Sequence, residues 1–504
     1  MDRLSVVDEI FLRAHRGLGT PIAMQGLWRT ADVVDPMLLE AVVARLARGV
    51  LGRRIVRPRV PGARFASVPA GWSYPLAYRA EPLALQHITS WADAQARNLD
   101  PSRGPGFRLS AVLLSDGGTL VSLLCSHVLT DARGLLAAVD TALRETAGPP
   151  PGGAALSATA HDTATSHRAG TGPLGGHATD SASHPAAGTA RLSFGDRKPA
   201  ISTAGSTRTG SDWADARRTW STVIRGFRPW RGRAHNAVDP TSSRPSPTAE
   251  LPAKPAYGRV TSAFVHVDAA AWDALAAASD ATANTLFVAT VANILWDSGF
   301  SVDRIHASLP VDLRAQRPAD PPRQTTPSDP PRQTAPSDTP RQTAPGDTPR
   351  GNSLAMCAAS IERGADLAAV REACRAAFAH PDGAPPGVPP ELLHLLPARL
   401  AHLATSGAGE RDVLCSNIGR VPDSLLSLGP HRALGVAARA VHPGITPRQL
   451  HHLRTRLSGY LLQVGDHYRL ALVGLDARLF PSDTQLRDLA IERITALGLR
   501  ADAW

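Results

Sequence analysis

Residues 119–134 read Thr-Leu-Val-Ser-Leu-Leu-Cys-Ser-His-Val-Leu-Thr-Asp-Ala-Arg-Gly, an apolar run that gives way to a helical pattern around His127 and Asp131. A histidine and an aspartate four residues apart are weak evidence alone, since a chain with 18 histidines holds about one such pair by chance. His235 and Asp239 share the spacing but lie in Pro/Ser/Arg-rich sequence with no strand before them and no helix after. Context separates the two pairs. Phe107–Leu114 and residues 119–125 are β-rich runs joined by Ser115-Asp116-Gly117-Gly118, a good hairpin connection because glycine accepts positive φ. Alternation puts Val121, Leu123, Cys125 and His127 on one buried face. Thr130 or Asp131 then caps a helix whose apolar stripe is Leu135, Val139, Ala142 and Leu143. The imidazole is thus expected at the end of a core strand, either as a rigid base or as a hydrogen-bonded core histidine.

At 504 residues the chain is long enough for two or three domains. Residues 1–16 carry acids and too short an apolar run for a signal peptide, and no run reaches membrane-spanning length. The expectation is a cytoplasmic protein. Cys125, Cys357, Cys374 and Cys415 are scattered without ligand spacing and read as reduced thiols. Neither they nor the His451-His452 pair suggests a metal. The net charge of +10 invites a nucleic-acid reading. Yet residues 148–256 hold 13 cations against 7 acids, so most of the excess lies outside the patterned regions. A basic groove on a folded domain is what binding needs, and the sequence shows none.

Organisation follows the composition. Residues 1–147 form an N-terminal subdomain ending in the His127 hairpin and helix, and residues 257–504 form a second. Between them, 148–210 and 229–256 are rich in Gly, Pro, Ser and Thr and are expected to be disordered linkers. They flank an amphipathic helix at 211–228, with Trp213, Ala216, Trp220, Val223, Ile224 and Phe227 as its stripe and Arg217, Arg218, Arg225 and Arg228 beside it. Aromatic anchors among arginines suit either a crossover helix packed on a sheet or, across 212–230, a peripheral membrane contact. The second subdomain opens with an alternating strand at 260–267 and a helix from Asp268, then a helix at 284–296 whose start Asn284 caps. It closes with a hairpin at 457–475 and a helix capped by Ser482. Within 318–350 a nine-residue unit, Pro-Arg-Gln-Thr-(Thr/Ala)-Pro-(Ser/Gly)-Asp-(Pro/Thr), is copied three times from Pro322 to Thr348. Its period is too short and its apolar content too low for a solenoid, so it reads as a tandem expansion of a disordered surface loop.

Taken in order, these pieces resemble the HxxxD acyltransferase superfamily: condensation domains, polyketide-associated acyltransferases and wax ester/diacylglycerol acyltransferases. The likeness rests on Leu4-Ser5-Val6-Val7-Asp8-Glu9-Ile10-Phe11-Leu12, on Gly104-Pro105-Gly106-Phe107-Arg108, and on Ser126-His127 through Asp131. Pro310-Val311-Asp312-Leu313-Arg314, Gly351-Asn352 and Cys415-Ser416-Asn417-Ile418-Gly419 follow in the same order. Two positions depart from the family's His-His-x-x-x-Asp-Gly. Ser126 stands at the first His and Ala132 at the Gly, while His127 matches the catalytic His.

The resemblance implies an α/β fold, a chloramphenicol-acetyltransferase-like sandwich of two subdomains with mixed sheets and a central tunnel. It implies acyl transfer from a coenzyme A or carrier-protein thioester to a hydroxyl or amine, in lipid or secondary-metabolite biosynthesis, with no metal or redox cofactor. His127 is then the general base, a role that suits a neutral imidazole. Asp131 is expected to pair with a core arginine, for which Arg314 is the candidate, and so to orient the loop. Ser416, Asn417 and Ser126 are candidates for lining the tunnel or donating to an oxyanion, with a structural turn the plainer account of 416–417. A catalytically silent scaffold or acyl-chain-binding protein is the alternative reading of the same fold.

Overall fold

This computed structural model describes residues 1–15, 18–96, 99–147, 205–226, 260–316, 351–380, 390–405 and 410–503. The expected linkers fall outside the described residues, except that 205–210 belong to a helix. The copied unit at 322–348 and the His235–Asp239 pair lie outside them as well.

In chain order the N-terminal region runs β1 (Asp2–Arg3), α1 (Val6–His15), β2 (Ala23–Thr30), α2 (Pro36–Arg48), β3 (Arg53–Val56), β4 (Ala66–Pro69) and β5 (Ala77–Leu83). It continues through α3 (Ile88–Gln95), β6 (Phe107–Leu114), β7 (Thr119–Ser126), α4 (Ala132–Ala147) and α5 (Gly205–Gly226). Beyond residue 260 come β8 (Thr261–Asp268), α6 (Ala269–Ala278), α7 (Ala283–Asp297), β9 (Arg304–Asp312), β10 (Leu354–Glu362) and α8 (Leu367–Ala379). The remainder is α9 (Leu392–Leu395), α10 (Ala398–Thr405), β11 (Val413–Arg420), β12 (Ser427–Leu428), β13 (His431–Val441), α11 (Pro447–His452), β14 (Leu457–Val464), β15 (His467–Gly474), α12 (Asp483–Ala496) and β16 (Ala501–Ala503).

Two large mixed sheets carry the fold. One has six strands in the order β12-β13-β2-β7-β6-β5, with β5 parallel to β6; the other has seven, β10-β9-β11-β14-β15-β8-β16, with β11 parallel to both its neighbours. A small sheet, β1-β4-β3, stands apart. The β6–β7 hairpin forms as its pattern predicts, with Leu113 opposite Thr119 and Gly117 at φ +89° in the turn. As a central strand, β7 is buried on both faces.

The sheets do not divide at the sequence boundary. Ser427–Leu428 and β13, inside the stretch assigned to the second subdomain, join the first sheet, where β13 pairs antiparallel with β2 along its length. Its inner residues Val436, Ala437 and Ala440 share one apolar cluster with Leu27 and Trp28 of β2 and with Tyr460 and Leu462 of β14. Arg439 adds a polar tie. Only 2% exposed, it donates to Gln25 Oε1 at 2.9 Å, to Asp93 Oδ1 at 2.6 Å and to Ser262 Oγ of the other sheet. A second core lies behind the seven-stranded sheet. There α7 buries residues on every side, because the sheet covers one face and neighbouring helices cover the others.

Helix α5 corrects the amphipathic reading. Its buried face is Asp212, Asp215, Ala216, Thr219 and Val223, while Trp213, Trp220 and Ile224 are 56%, 50% and 66% exposed. Charge pairing turns the acids inward. Asp212 meets Arg3 Nη2 at 2.6 Å and accepts from the Arg59 backbone N–H at 2.8 Å. Asp215 meets Arg64 Nη2 at 2.7 Å and accepts from its backbone N–H at 2.9 Å. Phe227 of the expected stripe and Arg228 beside it lie outside the described residues.

Candidate active site

His127 is not the last residue of the strand face. β7 ends at Ser126, and residues 127–129 form a turn that closes with Leu129 N–H on Ser126 C=O at 3.2 Å. Ser126 Oγ also accepts from Val128 N–H at 3.3 Å, so the side chain at the strand end bends the backbone away from the β direction. The turn frees His127 from the sheet and hands it to other partners. Phe11 of α1 stacks on the imidazole, with centroids 4.0 Å apart and planes 18° from parallel. Nδ1 lies 3.0 Å from Asn352 Oδ1. Asn352 Nδ2 donates to the His127 carbonyl at 2.7 Å and to Asp8 Oδ1 at 2.7 Å. Protein surrounds the ring although part of the residue's surface stays open, and burial pulls its pKa below 6.5. Its own carbonyl, Asp131, Asn352 and Asp8 oppose that shift without cancelling it. A neutral imidazole results, the form a general base needs.

Asp131 caps α4, its Oδ1 accepting from Gly134 N–H at 3.0 Å. Its Oδ2 accepts from Ser353 N–H at 3.0 Å and pairs with Arg314 Nη2 at 2.8 Å. With side-chain exposures of 1% and 6%, the Asp131–Arg314 pair is buried. Arg314 reaches on to Asp312 Oδ1 at 3.2 Å and to the Gly351 carbonyl at 3.1 Å. Both carboxylate oxygens of Asp131 are therefore committed to N–H donors. What they secure is the short segment Gly351–Asn352–Ser353 against the start of α4. Gly351 sits at φ +97°, a backbone conformation that favours glycine.

The other candidates separate. Asn417 Nδ2 donates to Asn284 Oδ1 at 3.2 Å, while its own Oδ1 accepts from Gly419 N–H at 3.0 Å across an irregularity in β11. Asn284 therefore does not cap α7. Thr282 does, with extended backbone and its side chain accepting from Thr285 N–H, while Asn284 is already helical and turns its amide to β11. Ser416 is half-buried beside it on β11, directly across from Tyr460 of β14. Arg133, on the first turn of α4, pairs with Asp312 and reaches close to β11. Its Nε lies 3.4 Å from Asp312 Oδ2, and its Nη2 lies where a Cβ on Gly419 would be 3.3 Å away.

Ser126 has a histidine beside it from elsewhere in the chain: His15 Nε2 of α1 is 3.0 Å from its Oγ. Asp8, Phe11, His15 and Asn352 are site residues that spacing did not reveal. They stand far along the chain from His127, and the only signal was that Asp8, Phe11 and Asn352 fall within stretches that carry the resemblance. Among the described residues no group of His, Cys, Asp and Glu is arranged to hold a metal.

No family model matches the chain, and no curated protein sequence does. Solved structures do. The chain is similar to TRI101 of F. sporotrichioides complexed with coenzyme A and T-2, at 12% identity and a TM-score of 0.50, over 100% of this chain and 99% of that one. It is similar to the nonribosomal peptide synthetase FmoA3 bound to alpha-methyl-L-serine-AMP, at 16% identity and a TM-score of 0.50 over 98% of this chain, which spans 45% of that longer one. A wax ester synthase/diacylglycerol acyltransferase from Marinobacter aquaeolei VT8 matches at 12% identity and a TM-score of 0.49, over 98% of each chain. At these identities the likeness is one of fold. That fold is the mixed-sheet architecture of the condensation and chloramphenicol-acetyltransferase-like group, with its two subdomains.

Proposed function

We propose that the protein is an acyltransferase that moves an acyl group from a thioester to a hydroxyl or amine, with His127 as general base. The observation that carries this reading is the imidazole itself. It is neutral, stacked and bonded through one nitrogen, beside a carboxylate whose oxygens are fully occupied by structural partners. Such an arrangement offers the His127 imidazole as the base and keeps Asp131 to a structural part. Among proteins of this fold, one was solved with coenzyme A and another is a nonribosomal peptide synthetase, which supports a donor held on coenzyme A or on a carrier arm.

In the reaction, His127 Nε2 removes the acceptor's proton as its oxygen or nitrogen bonds to the thioester carbonyl carbon. The tetrahedral oxyanion collapses, the C–S bond breaks, and the imidazolium returns the proton to the leaving thiolate. Asp131 and Arg314 hold the turn and the 351–353 segment in register and exchange no proton. Ser416 is the better oxyanion donor of the β11 pair, because Asn417 already spends its amide on Asn284 and Gly419. Donor and acceptor are assigned to a tunnel entered from opposite faces. The reaction requires no metal or redox cofactor.

We assign the reaction to the cytoplasm, in lipid or secondary-metabolite assembly. No helix among the described residues is long and apolar enough to cross a membrane. The exposed Trp213, Trp220 and Ile224 beside Arg217, Arg218 and Arg225 support peripheral contact with an anionic membrane surface.

The test is thiol release from a panel of acyl-coenzyme A chain lengths with hydroxyl and amine acceptors. His127→Ala is expected to fold as wild type and to lose transfer by about 10²- to 10⁴-fold. Equal rates in both proteins would remove the base and leave the scaffold reading.

A further inference from the structure

We propose that Asp8 is a positioning residue which, through the side-chain amide of Asn352, holds His127 as the tautomer protonated on Nδ1 and leaves the Nε2 lone pair for the substrate. This deepens the acyltransferase reading and rests on it for its purpose, though the tautomer itself is a property of the resting protein.

The argument is one of donors and acceptors. Asp8 receives three N–H groups: Ser5 N at 2.8 Å, Asn352 N at 3.3 Å and Asn352 Nδ2 at 2.7 Å. Asn352 Nδ2 also lies 2.7 Å from the carbonyl oxygen of His127, which can only accept. Turning the amide over would set its oxygen against two other oxygens at those distances. The amide therefore has one orientation, and it is fixed by partners other than the imidazole. Its oxygen then faces His127 Nδ1 at 3.0 Å, and an acceptor at that distance requires a proton on the nitrogen. A neutral imidazole has one N–H, so Nε2 is bare. When Nε2 takes up a proton, Nδ1 keeps its bond to Asn352 unchanged, and no group in the clamp has to turn. Phe11 holds the ring plane from one side.

Asp8 also belongs to the start of α1, where its backbone N–H donates to Ser5 Oγ at 3.1 Å and its Oδ2 accepts from Ser5 N–H. A purely structural role there is the competing account. The carboxylate divides between the two tasks, with Oδ2 turned to the cap and Oδ1 to Asn352.

The experiment is ¹⁵N NMR of histidine-labelled full-length protein, with the His127 resonances assigned by their loss in His127→Ala. Wild type is expected to show a protonated Nδ1 and an unprotonated Nε2. Asp8→Asn keeps an acceptor for Ser5 but offers an N–H to Asn352. It is expected to release the amide, shift His127 toward the Nε2–H form, and lower kcat about 10- to 100-fold with little change in KM for the thioester. Ser5→Ala weakens the cap alone and is expected to lower Tm while leaving tautomer and kcat as they are. If Asp8→Asn folds poorly, Asn352→Ala leaves the cap of α1 in place and is expected to lose the fixed tautomer in the same spectrum. An Nε2–H tautomer in wild type, or a wild-type spectrum in the Asp8 and Asn352 variants, overturns the proposal. A protein with the expected tautomer whose His127→Ala variant transfers at the wild-type rate keeps the clamp and loses the acyltransferase reading instead.

Discussion

Two helices of this molecule are fastened at their N-terminal halves by buried carboxylates, and only one of them makes a site. α4 is held by Asp131, paired with Arg314 at 2.8 Å, and α5 by Asp215, paired with Arg64 at 2.7 Å. Each carboxylate also accepts a backbone N–H from the segment it secures, Ser353 in one case and Arg64 in the other. The two carboxylates are alike in charge and both are buried, at 1% and 6% exposure, although Arg64 is more open than Arg314. The difference is in what stands next to them. Four residues before Asp131, an imidazole has left the strand direction, and among the described residues its hydrogen-bond partner is at Nδ1 alone; around Asp215 the neighbours are the Arg3 and Arg64 guanidiniums and backbone. A buried ion pair marks an attachment. Chemistry begins where the attachment leaves a titratable group unspent.

Removing partners separates the two attachments most sharply. Asp131→Ala and Arg314→Ala are each expected to cost roughly 3–5 kcal/mol, since each leaves a buried charge alone. The double variant is expected to cost less than the sum of the singles. Asp215→Ala is expected to cost less, roughly 1–3 kcal/mol, because Arg64 is 25% exposed and water can take over some of its solvation. Denaturant titrations of the four variants read this directly, and equal losses at both sites would erase the contrast.

Acid provides the next comparison, between the proposed base and an imidazole that only packs. His442 donates from Nδ1 to the Pro21 carbonyl at 3.0 Å, its Nε2 is buried without a partner among the described residues, and burial lowers its pKa to about 4. Between pH 6.5 and about 4 the unfolded chain binds a proton that the folded one refuses, so stability falls with pH across that window. The loss from His442 is expected to reach roughly 3 kcal/mol and to vanish in His442→Gln, measured as Tm against pH. His127, lowered for the same reason, places the acid limb of kcat/KM below pH 6.5. An acid limb above that value would mean that some other group carries the rate.

Smaller effects belong to α5. Replacing Trp213 and Trp220 with Ser is expected to leave Tm nearly unchanged, because both are at least half exposed, and to abolish co-sedimentation with anionic vesicles at low salt. An early melt in that variant would make the stripe a packed surface after all. Smallest of all is deletion of residues 322–348, for which Tm and turnover are expected to stay at wild-type values. The flanks are paired independently, Asp312 opposite Leu354 in the β9–β10 ladder and Leu313 N–H on Ser353 C=O at 2.8 Å.

What was legible in the sequence was local. The β6–β7 hairpin followed from alternation around four turn residues, and the caps of α6 and α12 from Asp268 and Ser482. Asp131 and Arg314 came together only through resemblance, because no periodicity links residues so far apart in the chain. Asp8 and Asn352 meet across a separation of 344, and composition has no term for that. The strand β13 entering the first sheet was hidden for the same reason. The face of α5 stayed open for a different reason: hydrophobicity marked one stripe, of which Ala216 and Val223 are buried and Trp213 and Trp220 exposed, and it gave no sign that Asp212 and Asp215 turn inward to pair with Arg3 and Arg64.

The β9–β10 ladder also fixes where this protein can be taken apart. Arg314, Asp131 and His127 precede the 317–350 segment, and Asn352 and Ser353 follow it, so a break there puts the imidazole on one polypeptide and its amide clamp on the other. The register from Asp312–Leu354 to Arg304–Glu362 would guide the halves back together. Expressed as two fragments, the protein is expected to regain the His127–Asn352 contact only where the β9–β10 ladder re-forms.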